Sequence, residues 1–176
     1  MAENQSLIKE FKSYSQTKLN DSLSQIEKCL NLLTLEQIWH RPNEVSNAIG
    51  NLVIHLNGNV KQWIVNSLGG IPFERDRAAE FAQRNPLPTD EIFGNLKESV
   101  RQACDVIAEL TKQQLIEKVT VQKYEVSGLA AVIHVVEHFS LHTGQIVYAT
   151  KLLINQDLSL YDSQGQRLDG RNSGMP

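Results

Sequence analysis

Three of the five histidines of this 176-residue chain lie in one apolar stretch, HVVEHFSLHTGQ, at positions 134, 138 and 142. A four-residue spacing is close to one helical turn, so on a helix these rings share one face. Imidazole is the commonest protein ligand for transition metals, and two histidines at i and i+4 can reach one ion. The direction of each ring decides whether they do. With Val135 set at zero on a helical wheel, the apolar residues Val132, Phe139, Ile146 and Leu153 fall within about 60° of it and define the inward stripe. His142 sits at about −20°, His138 at about −60° and His134 at about −100°. Glu137, Gly144 and Lys151 fall on the opposite, solvent side. His138 and His142 therefore face inward together, roughly 6 Å apart along the axis. His134 keeps the rhythm but turns toward the rim.

A metal site with an open coordination position needs a third protein ligand. Two histidines remain. His40 falls in the short IWHRP segment, and His55 lies in a second apolar-periodic stretch. There Leu52, Leu56 and Trp63 mark the core stripe, and His55 stands at its edge. Asn59, one turn on, could hydrogen-bond beside it, and Gln145 lies next to His138 on the other helix. Spacing alone leaves two readings open: a three-histidine ion site, or edge histidines that hydrogen-bond carbonyls, which is the more frequent case. A di-iron site is excluded, because it needs Glu-x-x-His motifs from paired helices. No Asp or Glu lies inward near His138 or His142, and no general base is evident.

These residues need helices to hold them. Residues 4–33 repeat apolar positions at helical spacing. Thr34 and Gln37 form a capping-box signature for a short turn that ends before Pro42. The second long helix is expected from about Ser46, as N-cap, to Leu68, with Gly69-Gly70 as its stop. The charged IPFERDRAAEFAQRNPLP stretch reads as a solvated connection. Thr89 is the expected cap of a third helix, with Asp90 and Glu91 in its first turn. Thr111 and Gln114 repeat the capping box, and EKVTVQKYEV reads as a short extended segment or hairpin arm. Ser127 caps the fourth long helix, residues 128 to about 155. The expected fold is all-α: a four-helix bundle forming a single domain over residues 1–176, with a minor extended segment before the last helix and a tail, 156–176, draped over the bundle or partly mobile.

Composition narrows the function classes. A charged fraction of 21% and an apolar fraction of 41% are ordinary for a globular domain. A net charge of −3 and the lack of a Lys/Arg cluster argue against nucleic acid and anionic membranes as partners. The polar N-terminus does not resemble a signal peptide, and no apolar run reaches the ~20 residues of a membrane span. Cys29 and Cys104, far apart in apolar-periodic segments, read as reduced core thiols, which suits a cytoplasmic protein.

The stretches WHRPNEVSNAIGNLVIHLNGNVKQWI and RDRAAEF, followed near the end by HVVEHFSLHTGQI, resemble the DinB-like (DinB/YfiT) family, which is associated with metal-dependent enzymes. The likeness covers most of the chain. The family's last-helix pattern is usually His-x-x-x-His-Arg-Gly-Gln, and Thr143 stands here in place of the Arg. The resemblance implies an up-down-down-up four-helix bundle, often a homodimer, with a three-histidine site for a divalent ion such as nickel or zinc. Its ligands fall on His55, His138 and His142. It also implies a small-molecule substrate: some family members are S-transferases in which the metal activates a low-molecular-weight thiol such as bacillithiol or glutathione. Asn59 and Gln145 are the weaker candidates for contacting substrate. A metal-dependent hydrolase and a non-catalytic metal- or ligand-binding bundle are the competing expectations.

Overall fold

A computed structural model of the chain describes residues 2–166 and Leu168. Four long helices carry the structure. Helix α1 spans Ala2–Asn31, α3 Ile49–Val60, α5 Thr89–Glu109 and α7 Gly128–Ile154. Between them lie the short helices α2 (Leu35–Trp39), α4 (Arg77–Ala82) and α6 (Lys112–Ile116), and a two-stranded antiparallel hairpin, β1 (Lys118–Val121) and β2 (Tyr124–Ser127). Each amphipathic helix buries one stripe, and the four stripes meet in a single core that includes Leu19, Ile26, Leu56, Ile64, Leu96, Ile107, Val135, Phe139 and Ile146. This is an all-α four-helix bundle with a minor extended segment.

Long-range contacts set the direction of each helix. Lys12 and Gln16 of α1 donate to the carbonyls of Ala108 and Cys104, so α1 and α5 run antiparallel. Ser99 of α5 donates to Asn57, and Val106 lies against Gly69, so α3 and α5 run parallel. His55 meets His138 while Trp63 meets His134, so α3 and α7 run antiparallel. The order is up-down-down-up, and it brings α3 and α7 side by side although some seventy residues separate them.

Local signals explain most boundaries. Thr34 and Thr111 each accept from the backbone N–H three residues on, and Gln37 and Gln114 reach back to the cap N–H, closing both capping boxes. Ser127 accepts from the N–H of Ala130 at the start of α7, and Asn155 ends it in the left-handed conformation at φ 52°. Two caps differ from expectation. Helix α3 starts after Ala48, not Ser46: the Asn51 side chain accepts from the Ala48 N–H, whereas the Ser46 N–H is taken by Asn43. Pro88 precedes α5 and Thr89 is its first residue, because proline's fixed φ suits the helix edge and Thr89 makes no capping bond.

The second helix also changes type. From Lys61 to Asn66 it widens to a π-helix, with Ser67 and Gly69 donating five residues back to Gln62 and Ile64. A side chain at Gly69 would strike the Val65 carbonyl, so glycine is required where this wide turn closes. The tail follows the bundle as far as it is described: Leu158 is buried, and Lys28 donates to the Ser159 carbonyl. Residues 1, 167 and 169–176 lie outside the described residues, and the end of the tail expected over 156–176 lies there with them.

Candidate metal centre

His55, His138 and His142 meet across the α3–α7 seam. One ring nitrogen from each lies within 4.8 Å of the other two. His55 Nε2 and His138 Nε2 are 2.9 Å apart, and the His55 ring stands edge-on to His142 with centroids 5.1 Å apart. Nitrogens bound to one tetrahedral ion by bonds of about 2.0–2.1 Å sit about 3.3 Å from each other, so the observed cluster is on the scale of a shared ion. Among the described residues this is the one group of metal-ligating side chains so disposed. His40 is exposed and stands apart from it.

The hydrogen bonds around the rings decide which nitrogen faces inward. His55 Nδ1 is 2.8 Å from Glu80 Oε2, and His142 Nδ1 is 2.7 Å from Gln145 Oε1. An oxygen acceptor at that distance holds the proton on Nδ1 and leaves Nε2 with its lone pair free, which is how histidine ligands are commonly oriented. The 2.9 Å between His55 Nε2 and His138 Nε2 fits one shared proton, and an ion bound by both would lie off the line between them. The environment disfavours protonated rings. Burial first, then the charges of His142, His55, His134 and Arg75, push His138 down to about 3. Burial lowers His142 as well, partly offset by its bond to Gln145. At neutral pH His138 and His142 are therefore neutral, the form a metal requires.

Glu80 and Arg75 are the residues the sequence reading missed. They come from the stretch expected to be a solvated connection. Instead, residues 77–82 form α4, and Glu80 is only 7% exposed. Arg75 Nε donates to Glu80 Oε1 at 2.7 Å and Nη2 donates to Oε2 at 2.8 Å, a bidentate pair. With the His55 proton on Nδ1, the Arg75 Nη2 at 3.1 Å from that atom is a neighbour and not a partner. Burial would raise the Glu80 carboxyl. The hydrogen bonds from Arg75 and His55, with their charges, outweigh it and hold the group below the ordinary carboxylate range. Six residues cannot form a stable helix unaided. Asn51 Nδ2 donates to the carbonyls of Glu80 and Gln83, and Arg41 donates to that of Phe81, so α3 and the α2–α3 connection tie down the end of α4.

One sequence signal could have found the pair. Gly58 lies inside the second long helix, in the last turn of α3 before the π segment, and in a helix interior glycine costs about 1 kcal/mol relative to alanine. An added Cβ there would collide with Glu80 Oε1 and come within 2.9 Å of Arg75 Nε. The glycine is the floor on which the ion pair rests, one turn from His55.

The remaining candidates take defined places. His134 is half-buried at the rim, its ring 4.0 Å from that of Trp63 and 5.5 Å from that of His138. Gln145 is exposed and touches His142. Asn59 is buried, and its Oδ1 has no hydrogen-bond partner, contrary to the expected bond beside His55. Thr143, in place of the family's usual Arg, is buried and donates to the Phe139 carbonyl, so it takes no part in the cluster.

Fold and cluster together define a DinB-like helical bundle with a three-histidine group that could hold a metal ion. The chain belongs to the family described as "Protein of unknown function (DUF1572)", whose model matches residues 6–162. Two solved structures share the fold. A conserved protein of Enterococcus faecalis is 16% identical, with 82% of this chain and 97% of that one covered and a TM-score of 0.67. A DinB-like protein of Bacillus subtilis, YjoA, is 18% identical, with 90% and 99% covered and a TM-score of 0.62. No curated protein matches the chain. No described helix is long and apolar enough to cross a membrane.

Proposed function

We propose that this protein is a metal-dependent enzyme in which His55, His138 and His142 hold one divalent ion, nickel or zinc, and a low-molecular-weight thiol is the nucleophile for S-transfer. The observation that carries the metal reading is the paired orientation of the rings: His55 and His142 each have Nδ1 engaged by an oxygen outside the cluster, and His55 turns its Nε2 toward His138. A divalent ion bound by three neutral imidazoles keeps its full charge, acts as a Lewis acid and lowers the pKa of a coordinated thiol or water. Glu80 does not offset that charge, because Arg75 already neutralises it. A negatively charged ligand such as a thiolate is therefore favoured at the open position.

The protein's own groups supply orientation. Glu80 and Gln145 aim two of the rings, Phe81 packs against His55 with ring centroids 4.6 Å apart, and His134 and Trp63 close the rim. Asn59 and Gln145 are the groups proposed to contact substrate. We place the enzyme in the cytoplasm, where Cys29 and Cys104 stay as the free thiols they are here. It acts there as a single domain and as a homodimer, a reading supported by Leu141, Tyr148 and Leu152, exposed on α7 beside Gln145.

Metal analysis of protein purified without a His tag tests the first half: about one equivalent of a transition metal is expected, and less than about a tenth, with none taken up on titration, overturns it. Turnover of an electrophilic substrate with and without added bacillithiol or glutathione tests the second. Dependence on thiol supports S-transfer, and thiol-independent turnover points to a hydrolase.

A further inference from the structure

The Arg75–Glu80 pair costs the fold desolvation, and a buried ion pair often contributes no more than apolar residues of the same volume. Its place suggests a different use. Both oxygens of Glu80 are engaged: Oε1 by Arg75 Nε, and Oε2 by Arg75 Nη2 and His55 Nδ1. Arg75 itself is held by Gln62, whose Oε1 accepts from Nη1 at 3.0 Å. The pair sits on Gly58, a position left without a side chain one turn from His55. The carboxylate is thus fixed on the far side of the His55 ring from His138.

We infer that Glu80 is the positioning residue of the metal centre: it accepts a hydrogen bond from His55 Nδ1–H so that Nε2 points at the ion, and Arg75 aims the carboxylate and keeps it from becoming a fourth ligand. This rests on the metal reading above for its purpose, but not for its geometry. It assigns a role to a carboxylate outside the ligand set, and it explains why an otherwise charged connection folds into α4 against α3. The general effect of such an outer partner is a 10–100-fold change in metal affinity.

Two variants of equal charge and similar volume separate aiming from mere support. Arg75→Met with Glu80→Leu leaves no acceptor for His55, whereas Arg75→Met with Glu80→Gln keeps one oxygen there. Neither leaves a buried charge unpaired, so both are expected to fold. The readouts are the nitrogen-15 spectrum of the histidine rings without metal, and zinc affinity by competition with a chelator. In the unaltered protein His55 is expected as the Nδ1–H tautomer. The Met/Leu variant is expected to lose that preference and to bind zinc about 10–100-fold more weakly, and the Met/Gln variant to recover most of both. A purely structural role would move the two variants alike. The inference is overturned if His55 is the Nε2–H tautomer in the unaltered protein, or if the Met/Leu variant keeps its tautomer and zinc affinity. If the unaltered protein binds no zinc, the metal reading fails, and the tautomer comparison still judges Glu80.

Discussion

The bundle has two seams that use polar groups in opposite ways. Where α1 meets α5, the polar side chains lie along the rim and reach for backbone carbonyls: Lys12 to Ala108, Gln16 to Cys104. Beside them runs an open groove of about 500 Å³, with Asn20, Phe93, Gly94 and Cys104 in its lining. The charges on α5 pair along their own helix, Arg101 with Glu98 and Asp105, in solvent. Where α3 meets α7, the polar groups are buried or half-buried and hold each other: Arg75, Glu80, His55 and His138 form one connected chain. The first seam could lose any one of its polar groups to water. The second cannot, because each buried group depends on the next to offset its desolvation. That dependence, with the three-histidine group, supports the proposal that the metal site lies in the α3–α7 seam.

The largest expected effect concerns the ion. His138→Ala should reduce bound transition metal from about one equivalent to near none by elemental analysis, with the helical circular dichroism retained. Gln16→Ala, in the other seam, should leave metal content unchanged. Equal loss in both would erase the distinction between the seams.

Glu80→Ala should come next. It strands the Arg75 guanidinium, whose side chain is only 3% exposed. Removing one partner of a buried pair costs about 3–5 kcal/mol, readable as a lowered midpoint in urea. Arg101→Ala on α5 breaks only solvent-exposed pairs and should leave that midpoint where it was.

Two glycines in helix interiors sharpen the contrast. Gly58→Ala drives a methyl group into Glu80 and Arg75 and should destabilise the protein despite alanine's better helix propensity. Gly94→Ala on α5 meets nothing within 4 Å and should stabilise by about 0.5–1 kcal/mol. Denaturation of the pair checks both signs, and two shifts of the same sign would refute the close approach at Gly58.

A further contrast is in pH. In protein stripped of metal, His138 is held near 3 by burial and its charged neighbours, whereas the unfolded chain takes the proton near 6.5. The unfolded state then binds more protons across that interval. Stability should be full above about 6.5 and fall as the pH drops toward 3. A urea midpoint that stayed level between pH 7.5 and 5 would show that the His138 environment is more open than the structure has it.

The elements were readable because their signals are local. Thr34 with Gln37, Thr111 with Gln114, and Ser127 declare helix starts within four residues, and the apolar period declares the stripe each helix buries. Local signals also misled by a residue or two at Ser46 and Thr89, where a neighbouring side chain or a proline took the capping role. The wheel separated His138 and His142 from His134 because direction on a helix is arithmetic. The wheels also singled out His55 as the third edge-of-core histidine, and the family resemblance pointed to the same three, but no local rule decides that residue 55 lies beside residue 142.

By itself, then, the sequence determined four amphipathic helices, the inward direction of two histidines, and the lack of any charge or apolar run suited to nucleic acid or a membrane. The antiparallel packing of α3 on α7 came only with the family resemblance, and tertiary structure alone decided that Arg75 and Glu80 of the FERDRAAEF stretch would be buried. The physical reason is that a charge run is polar in either fate. Whether it faces water or a histidine depends on what packs over it, and here Gly58 leaves the space while Asn51 and Arg41 hold α4 in place.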